Sequence, residues 1–431
     1  MSNGLTASAS GNDGATIRSI SDSRSHHRRV RLCPWGGWMM TVHTADRGRV
    51  LAFRLEGHGL TARRPVRQLE AVAAACGLRN TPPGSAILGL GARVAALTPA
   101  TVDQAVTEAK SLVEVLSLRA SPLLVPTADL AVFTLGALPV DEASVHVALV
   151  NHSKELTADG VSGLEALRLA SEAAHEALAA GPMTRGQLSE TVTKRTPASL
   201  SRWCEPCTSN HTREMLFRLI GVAGVFVIVR EGKQTQYIRT DQWLGERAMR
   251  DRAAASPEVA RLELLRRYLR CFGPSTPEHF AGWVGLAAPE VRRDWDMLGA
   301  ELTEVTVAGR AGWLLTDDLP RLTASADAHG VRLLPPYDAY LDQRDRETLV
   351  PDKAQQKQVW KAIGNPGVVL ADGDVVGIWR PQKKGKRLLL TVEPFGTLAK
   401  AARTEIEAEA ALLAPLRGCT SAEVTVTDGA A

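Results

Sequence analysis

The sequence contains no run of the roughly eighteen apolar residues that a transmembrane helix requires. Nor does its N-terminus carry the apolar core, about 7–15 residues long, of a secretory signal. Cysteine is scarce, six in 431 residues, with none of the spacing of a small disulfide framework. That usage fits a reducing, cytoplasmic setting. Neither sign of charge dominates, with 51 Lys and Arg against 47 Asp and Glu. A uniformly basic coat is thereby excluded, and any electropositive surface must arise by segregation. The one glycine-rich stretch, "GLGAR" at 89–93, is too short for a phosphate fingerprint and lacks a preceding strand.

What is present is a chain long enough for about two to four domains. Residues 1–31 are polar, rich in Ser and Gly and without period, and open a segment that runs to 46. They read as a disordered leader or a start placed too early, with Met39 and Met40 ahead of the first helical pattern. A second reading makes His26, His27, Arg28, Arg29 and Arg31 a basic arm for nucleic-acid phosphates.

From there the chain runs three times through helices into a short β-hairpin. The third pass, 246–325, is the clearest. Ser256-Pro257 opens a helix stopped at Gly273-Pro274, Thr276-Pro277 opens a second ended by Gly285, and Pro289 opens a third ended by Gly299. "LTEVTV-AGR-AGWLL" then reads as two strands around a glycine turn. Three short helices and a hairpin are the order of a winged helix. The second pass, 141–245, repeats it, with a capping-box spacing at Thr184 and Gln187, a further start at Thr196-Pro197 and a strand pair around Glu231-Gly232-Lys233. The first, 47–140, is looser, with helices at 49–60, 66–76 and after Pro99, and a hairpin around Arg119. Residues 326–431 are strand-rich, with hairpin turns at Asp372-Gly373 and Lys384-Gly385, one helix and a terminal strand. The expected fold is α+β: tandem winged helices followed by a small C-terminal β-barrel.

Winged helices bind DNA by laying one helix in the major groove and the wing on the backbone. Double-stranded DNA is therefore the expected partner of what should be a monomer, with no membrane partner. The candidate DNA-binding residues are Arg292 and Arg293 on the third helix, Arg310 at the wing tip, and Arg380, Lys383, Lys384, Lys386 and Arg387 in the turn "RPQKKGKR". Asp338, Asp342 and Asp345 could form an acid cluster, but Arg344 and Arg346 between them favour a salt-bridged loop. Cys204, Cys207 and His211 are spaced like zinc ligands; a closed structural site needs four, so no metal is assigned.

The helix order resembles that of the bacterial winged-helix DNA glycosylases of the azinomycin-resistance and crosslink-repair type. The stretches that carry the resemblance are "LVEVLSLRASPLLVPTADLAVF", "WCEPCTSNHTREMLFRL" and "LLPPYDAYLDQRDRETLVPD", and with the helix order it covers the chain from about residue 49 onward. It implies monofunctional hydrolysis of the N-glycosidic bond of bulky N7- or N3-alkylated purines or crosslinks, with no cofactor. That family's motif, Gln, an apolar residue, then Gln or Asp, follows an early helix. Here the position reads Arg79-Asn80-Thr81, inside "CGLRNTPPGS". An alkylated purine is already a cationic leaving group, so the chemistry needs a held water and a negative end near C1′. Asn80 or Thr81 could orient that water, whereas Arg79 cannot act as a base. Two rivals stand beside this reading: a catalytically silent DNA-binding or transcription-associated protein, which Arg79 favours, and a scaffold turned to a small molecule or protein.

Overall fold

The computed structural model describes residues 29–30, 41–150, 155–156, 160–232, 234–325 and 329–427. The chain divides into two compact units, Met1–Thr44 and Ala45–Ala431. In the first, Arg29 and Val30 pair antiparallel with Val42 and Thr41. The rest of the expected leader, including His26, His27, Arg28 and Arg31, lies outside the described residues.

The second unit opens with helix Arg47–Gly57, capped by the Asp46 carboxylate on the Arg49 amide at 2.8 Å. Its Val50, Leu51, Phe53 and Leu55 are buried. The third pass folds in the expected element order. Ser256 caps Pro257–Phe272, Thr276 caps Pro277–Val284, and Ala288–Met297 follows. Gly285 stops the middle helix in the left-handed region at φ 89°, which glycine adopts at no steric cost. Strands Leu302–Val307 and Arg310–Leu315 then pair in register around Gly309. Tyr268, Phe272, Phe280 and Trp283 pack as one aromatic cluster, with Tyr268 and Trp283 ring centroids 5.0 Å apart.

In the second pass the capping box at Thr184 and Gln187 forms and starts Arg185–Arg195. Thr196-Pro197 does not open a full helix. It gives one turn, Ala198–Leu200, and then a hairpin of Ser201–Cys204 and Ser209–Thr212. The first and second hairpins do not stand apart. Leu78–Arg79, Pro122–Pro126, Leu112–Leu116, Phe226–Glu231 and Gln234–Arg239 form one antiparallel sheet in that order. A single buried cluster runs from Cys76 through Phe226 to Trp295, so all three passes share a core.

The C-terminal region corrects the expected barrel. Val331–Leu334, Gly367–Ala371, Asp374–Lys384, Arg387–Pro394 and Ser421–Val426 form an open half-barrel in linear order. The last two strands are parallel, joined by helix Lys400–Leu416, as a crossover between parallel strands requires. Leu69, Leu78, Ala86, Leu88 and Leu90 pack into the same cluster as Trp379, Leu388, Ile406 and Leu413, which fixes the early corner against this half-barrel. A second correction falls on 335–359, read above as strand-rich. Pro335-Pro336 removes two backbone donors from any ladder. Asp338 then caps the turn Ala339–Asp342, and Asp352 caps Lys353–Val359. Among the described residues no single helix is long and apolar enough to cross a membrane.

Candidate functional site

The corner "CGLRNTPPGS" begins at Gly77, held at φ 67°. A Cβ there would meet Leu123 Cδ2 at 2.7 Å, so only glycine lets the helix end turn so sharply into Leu78–Arg79. That strand adds to Pro122–Pro126, and the Asn80 amide continues the pairing to the Pro122 carbonyl at 2.9 Å. Asn80 is buried. Its Oδ1 accepts from the backbone amides of Gly84 (2.8 Å) and Ala86 (3.3 Å), and its Nδ2 donates to Glu114 Oε2 at 2.8 Å. Glu114 is itself buried and bound by Arg230 at 2.6 Å. Asn80 therefore latches the Pro82-Pro83-Gly84 turn, and the start of helix Ser85–Gly91, to the central strand. Asn80→Ala removes those bonds and leaves two amides and a carboxylate short of a partner, at a cost of about 1–3 kcal/mol. A chemical denaturation midpoint unmoved by that substitution would contradict the latch. Thr81 is exposed on the turn.

Arg79 points to a different environment. Its guanidinium donates to Asp342 Oδ2 at 3.0 Å and Ser121 Oγ at 3.2 Å. Asp342 also accepts from Arg119 at 2.7 and 2.8 Å and from Arg344 at 3.2 Å. Arg119 reaches it from the tip of the first hairpin, where it sits at φ 49°. Burial alone would push the Asp342 carboxyl up, but Arg79, Arg119 and Arg344 outweigh it and hold the group below the usual carboxylate range. It is ionised at neutral pH. Burial pulls the Arg79 guanidinium down from its ordinary value, against the attraction of Asp342.

Arg79, Arg119 and Asp342 line a cleft of about 470 Å³. Tyr337, Arg346, Trp360 and Lys361 line the other side, with Arg346 over the Trp360 ring at 4.8 Å. The cations Arg79, Arg119, Arg346 and Lys361 share the lining with the Asp342 carboxylate. Asp338 is occupied behind the wall by Arg93, at 2.6 and 2.8 Å. The cleft is therefore a cationic, aromatic-edged hollow with an ionised carboxylate in its floor, suited to a phosphate at the rim and a flat group within.

The three acids of "YDAYLDQRDR" are all salt-bridged, as the mixture of charges suggested. Their partners mostly come from far along the chain: Arg93 for Asp338, Arg79 and Arg119 for Asp342, and Arg54 for Asp345. Of the two local candidates only Arg344 makes such a bond, to Asp342. Asp342 and Arg346 were read in sequence only as parts of a salt-bridged loop, and Arg119, Tyr337, Trp360 and Lys361 carried no signal as site residues. The stretch "LLPPYDAYLDQRDRETLVPD" was the available signal, since it places an acid-and-arginine run where the resemblance is strong. "GLGAR" belongs to the end of helix Ser85–Gly91, and its Arg93 is the buried partner of Asp338.

The candidate DNA-binding residues lie at the surface in two groups. Arg292 pairs with Glu278 at 2.6 Å, Arg293 with Asp141 at 2.8 Å and Arg310 with Glu347 at 2.7 Å. On the half-barrel hairpin Arg380 pairs with Glu393 and Arg387 with Glu423. Lys383 donates to the Arg417 and Gly418 carbonyls, and Lys384 and Lys386 are exposed beside the Gly385 turn.

An α+β chain whose early corner and segment 337–366 line a cationic cleft has the fold of a solved DNA glycosylase. The structure of Streptomyces sahachiroi DNA glycosylase AlkZ superposes with a TM-score of 0.70, at 24% identity, over 89% of this chain and all of that one. The chain belongs to the DNA glycosylase AlkZ-like family, whose model matches residues 72–416. It is also 34% identical over 178 residues to an interstrand DNA cross-link repair glycosylase of Streptomyces sahachiroi, which is 39% of this chain and 46% of that protein. The matched region thus spans less than half the length of that relative.

Proposed function

We propose that the protein is a monomeric, cytoplasmic winged-helix DNA-binding protein that hydrolyses the N-glycosidic bond of bulky N7- or N3-alkylated purines or crosslinks in duplex DNA. The stretches 47–140, 141–245 and 246–325 are read as winged-helix units built on a shared core, with 326–431 as the half-barrel region and 1–46 as a separate leader. The observation that carries the reading is the ionised Asp342 carboxylate in the floor of a cationic cleft. As the bond to a cationic purine breaks, positive charge grows on the sugar, and a fixed carboxylate stabilises it. No cofactor enters this step.

In the unbound protein Asp342 is fully engaged by its three guanidiniums. Duplex phosphates compete for Arg119 and Arg79, both of which reach the cleft, and release a carboxylate oxygen to hold a water beneath C1′. Of the three residues at the motif position, Arg79 is the one that lines the cleft. Asn80 could orient a water only by giving up its latch, and Thr81 only if the exposed turn closes over the substrate. The experiment is incubation with duplex DNA carrying N7-alkylguanine, followed by heating. Strand breaks at the modified base in excess of a protein-free control support the reading, and breaks no more frequent than in that control, with retained DNA binding, reject it.

A second reading, the silent DNA-binding protein, is favoured by one observation: the acceptor positions of both Asn80 Oδ1 and Asp342 are taken by protein donors. Both readings share the basic hairpin turn. Replacing Lys383, Lys384 and Lys386 together by Ala is expected to weaken binding to all sequences alike. The slope of log K against log salt should flatten by up to about three units, near one per lost phosphate contact. An unchanged slope would put that turn away from DNA.

A further inference from the structure

The hairpin of Ser201–Cys204 and Ser209–Thr212 has no part in the site above. It is a two-stranded sheet of its own, four residues to a strand. Sheets of that size are marginal in water unless something else ties them. Ser201 and Thr212 are buried at its base, but Arg202, Trp203, Glu205 and Cys207 toward its tip are exposed. Thr208, a β-branched residue, closes the turn at φ 48°, a conformation such side chains rarely accept.

The register explains what meets there. Cys204 lies opposite Ser209, and His211 is two residues further along the same strand. Residues two apart share a face of a strand, so Cys204 and His211 fall on one face. The turn Glu205–Cys207 brings Cys207 back over it. The sulfurs of Cys204 and Cys207 and a ring nitrogen of His211 all lie within 4.8 Å of one another. A C-x-x-C knuckle with a nearby histidine is a soft donor set of the kind that takes zinc.

We propose that Cys204, Cys207 and His211 bind one zinc ion, which staples the tip of this hairpin and leaves its fourth position to water or an outside ligand. Two thiolates neutralise the charge of the ion, and their protons are released on binding. Exposure makes the site open to exchange. A second trio, His58, Cys76 and Cys271, is equally close but wholly buried. There burial, with Arg93, Arg54 and Arg321 around it, drives the His58 ring toward its neutral form, and the same surroundings repel a metal cation. The His58 ring is edge-packed on Phe272 and Tyr340 as part of the core.

The test titrates the full-length chain, reduced and stripped with chelator, with Co2+ in the absence of air. The expected result is thiolate-to-cobalt absorption and tetrahedral d–d bands that saturate at one equivalent and vanish when Zn2+ is added. The double substitution Cys204→Ser with Cys207→Ser should abolish the bands, and His211→Gln should weaken binding at least tenfold. Zinc should also shield Cys204 and Cys207 from alkylation, read by mass spectrometry; this arm uses the unaltered chain and does not depend on the variants folding. Absence of a saturating band, a band that survives the double substitution, or equal alkylation with and without zinc would overturn the proposal.

Discussion

Asp342→Asn is expected to abolish base release from N7-alkylguanine duplexes, by about 10²–10³-fold, the usual loss when a preorganised charge-stabilising group is removed. The amide keeps the shape of the side chain but not the charge that the developing sugar cation requires. Affinity for unmodified duplex should fall little or even rise, because Arg79 and Arg119 are freed for phosphates. Arg79→Gln should act in the opposite sense. It removes one cation from the neighbourhood of C1′ while Arg119 and Arg344 still hold the carboxylate. A tenfold gain needs only about 1.4 kcal/mol of transition-state stabilisation. Rates are compared per folded molecule, since both variants disturb a partly buried pair. Equal base release by the wild type and Asp342→Asn would remove this carboxylate from the chemistry.

The largest effect on stability is expected at Asp338. Its carboxylate and the Arg93 guanidinium are 1% and 2% exposed and joined by two bonds. Arg93 is further held by the His58 and Gly89 carbonyls, and Asp338 caps the Tyr340 amide at 3.0 Å. Asp338→Ala leaves a buried cation without a counter-charge, which costs about 3–5 kcal/mol. The control is Glu278→Ala, which breaks an exposed pair with Arg292 and should cost about 1 kcal/mol or less. Denaturant midpoints of the two variants check the contrast. Similar small shifts in both would mean that Arg93 finds water or another partner.

The parts of this fold that were legible in sequence are those set by neighbours a few residues apart. Ser256, Thr276 and the capping box at Thr184 announce helix starts, and Gly285 and Gly309 announce a stop and a turn, because caps and left-handed positions are local requirements. The zinc-like spacing of Cys204, Cys207 and His211 was legible for the same reason. The candidate site was legible only in outline. The corner at 76–85 was picked out, but the partner of Arg79 lies 263 positions away, and no local pattern announces it. Asn80 looked like a free amide because its partners, Glu114 and two turn amides, depend on a strand of two residues, Leu78–Arg79, too short to show a period. Residues 335–359 misled because their apolar content suits a strand, whereas Pro335-Pro336 and the caps at Asp338 and Asp352 decide otherwise.

The span of the cleft has a consequence for biosynthesis. One wall carries Arg79 and Arg119, and the other carries Tyr337, Arg346, Trp360 and Lys361. A chain made from its N-terminus exposes the first wall long before the second exists. At about 5–20 residues per second, Arg79 waits for many seconds before the counter-charge at 342, 263 positions further on, is made. During that interval Arg79 and Arg119 lack the carboxylate that pairs with them in the folded protein. The cleft is thus completed, and Arg79 and Arg119 gain their shared counter-charge, only once the segment carrying Asp342 has emerged.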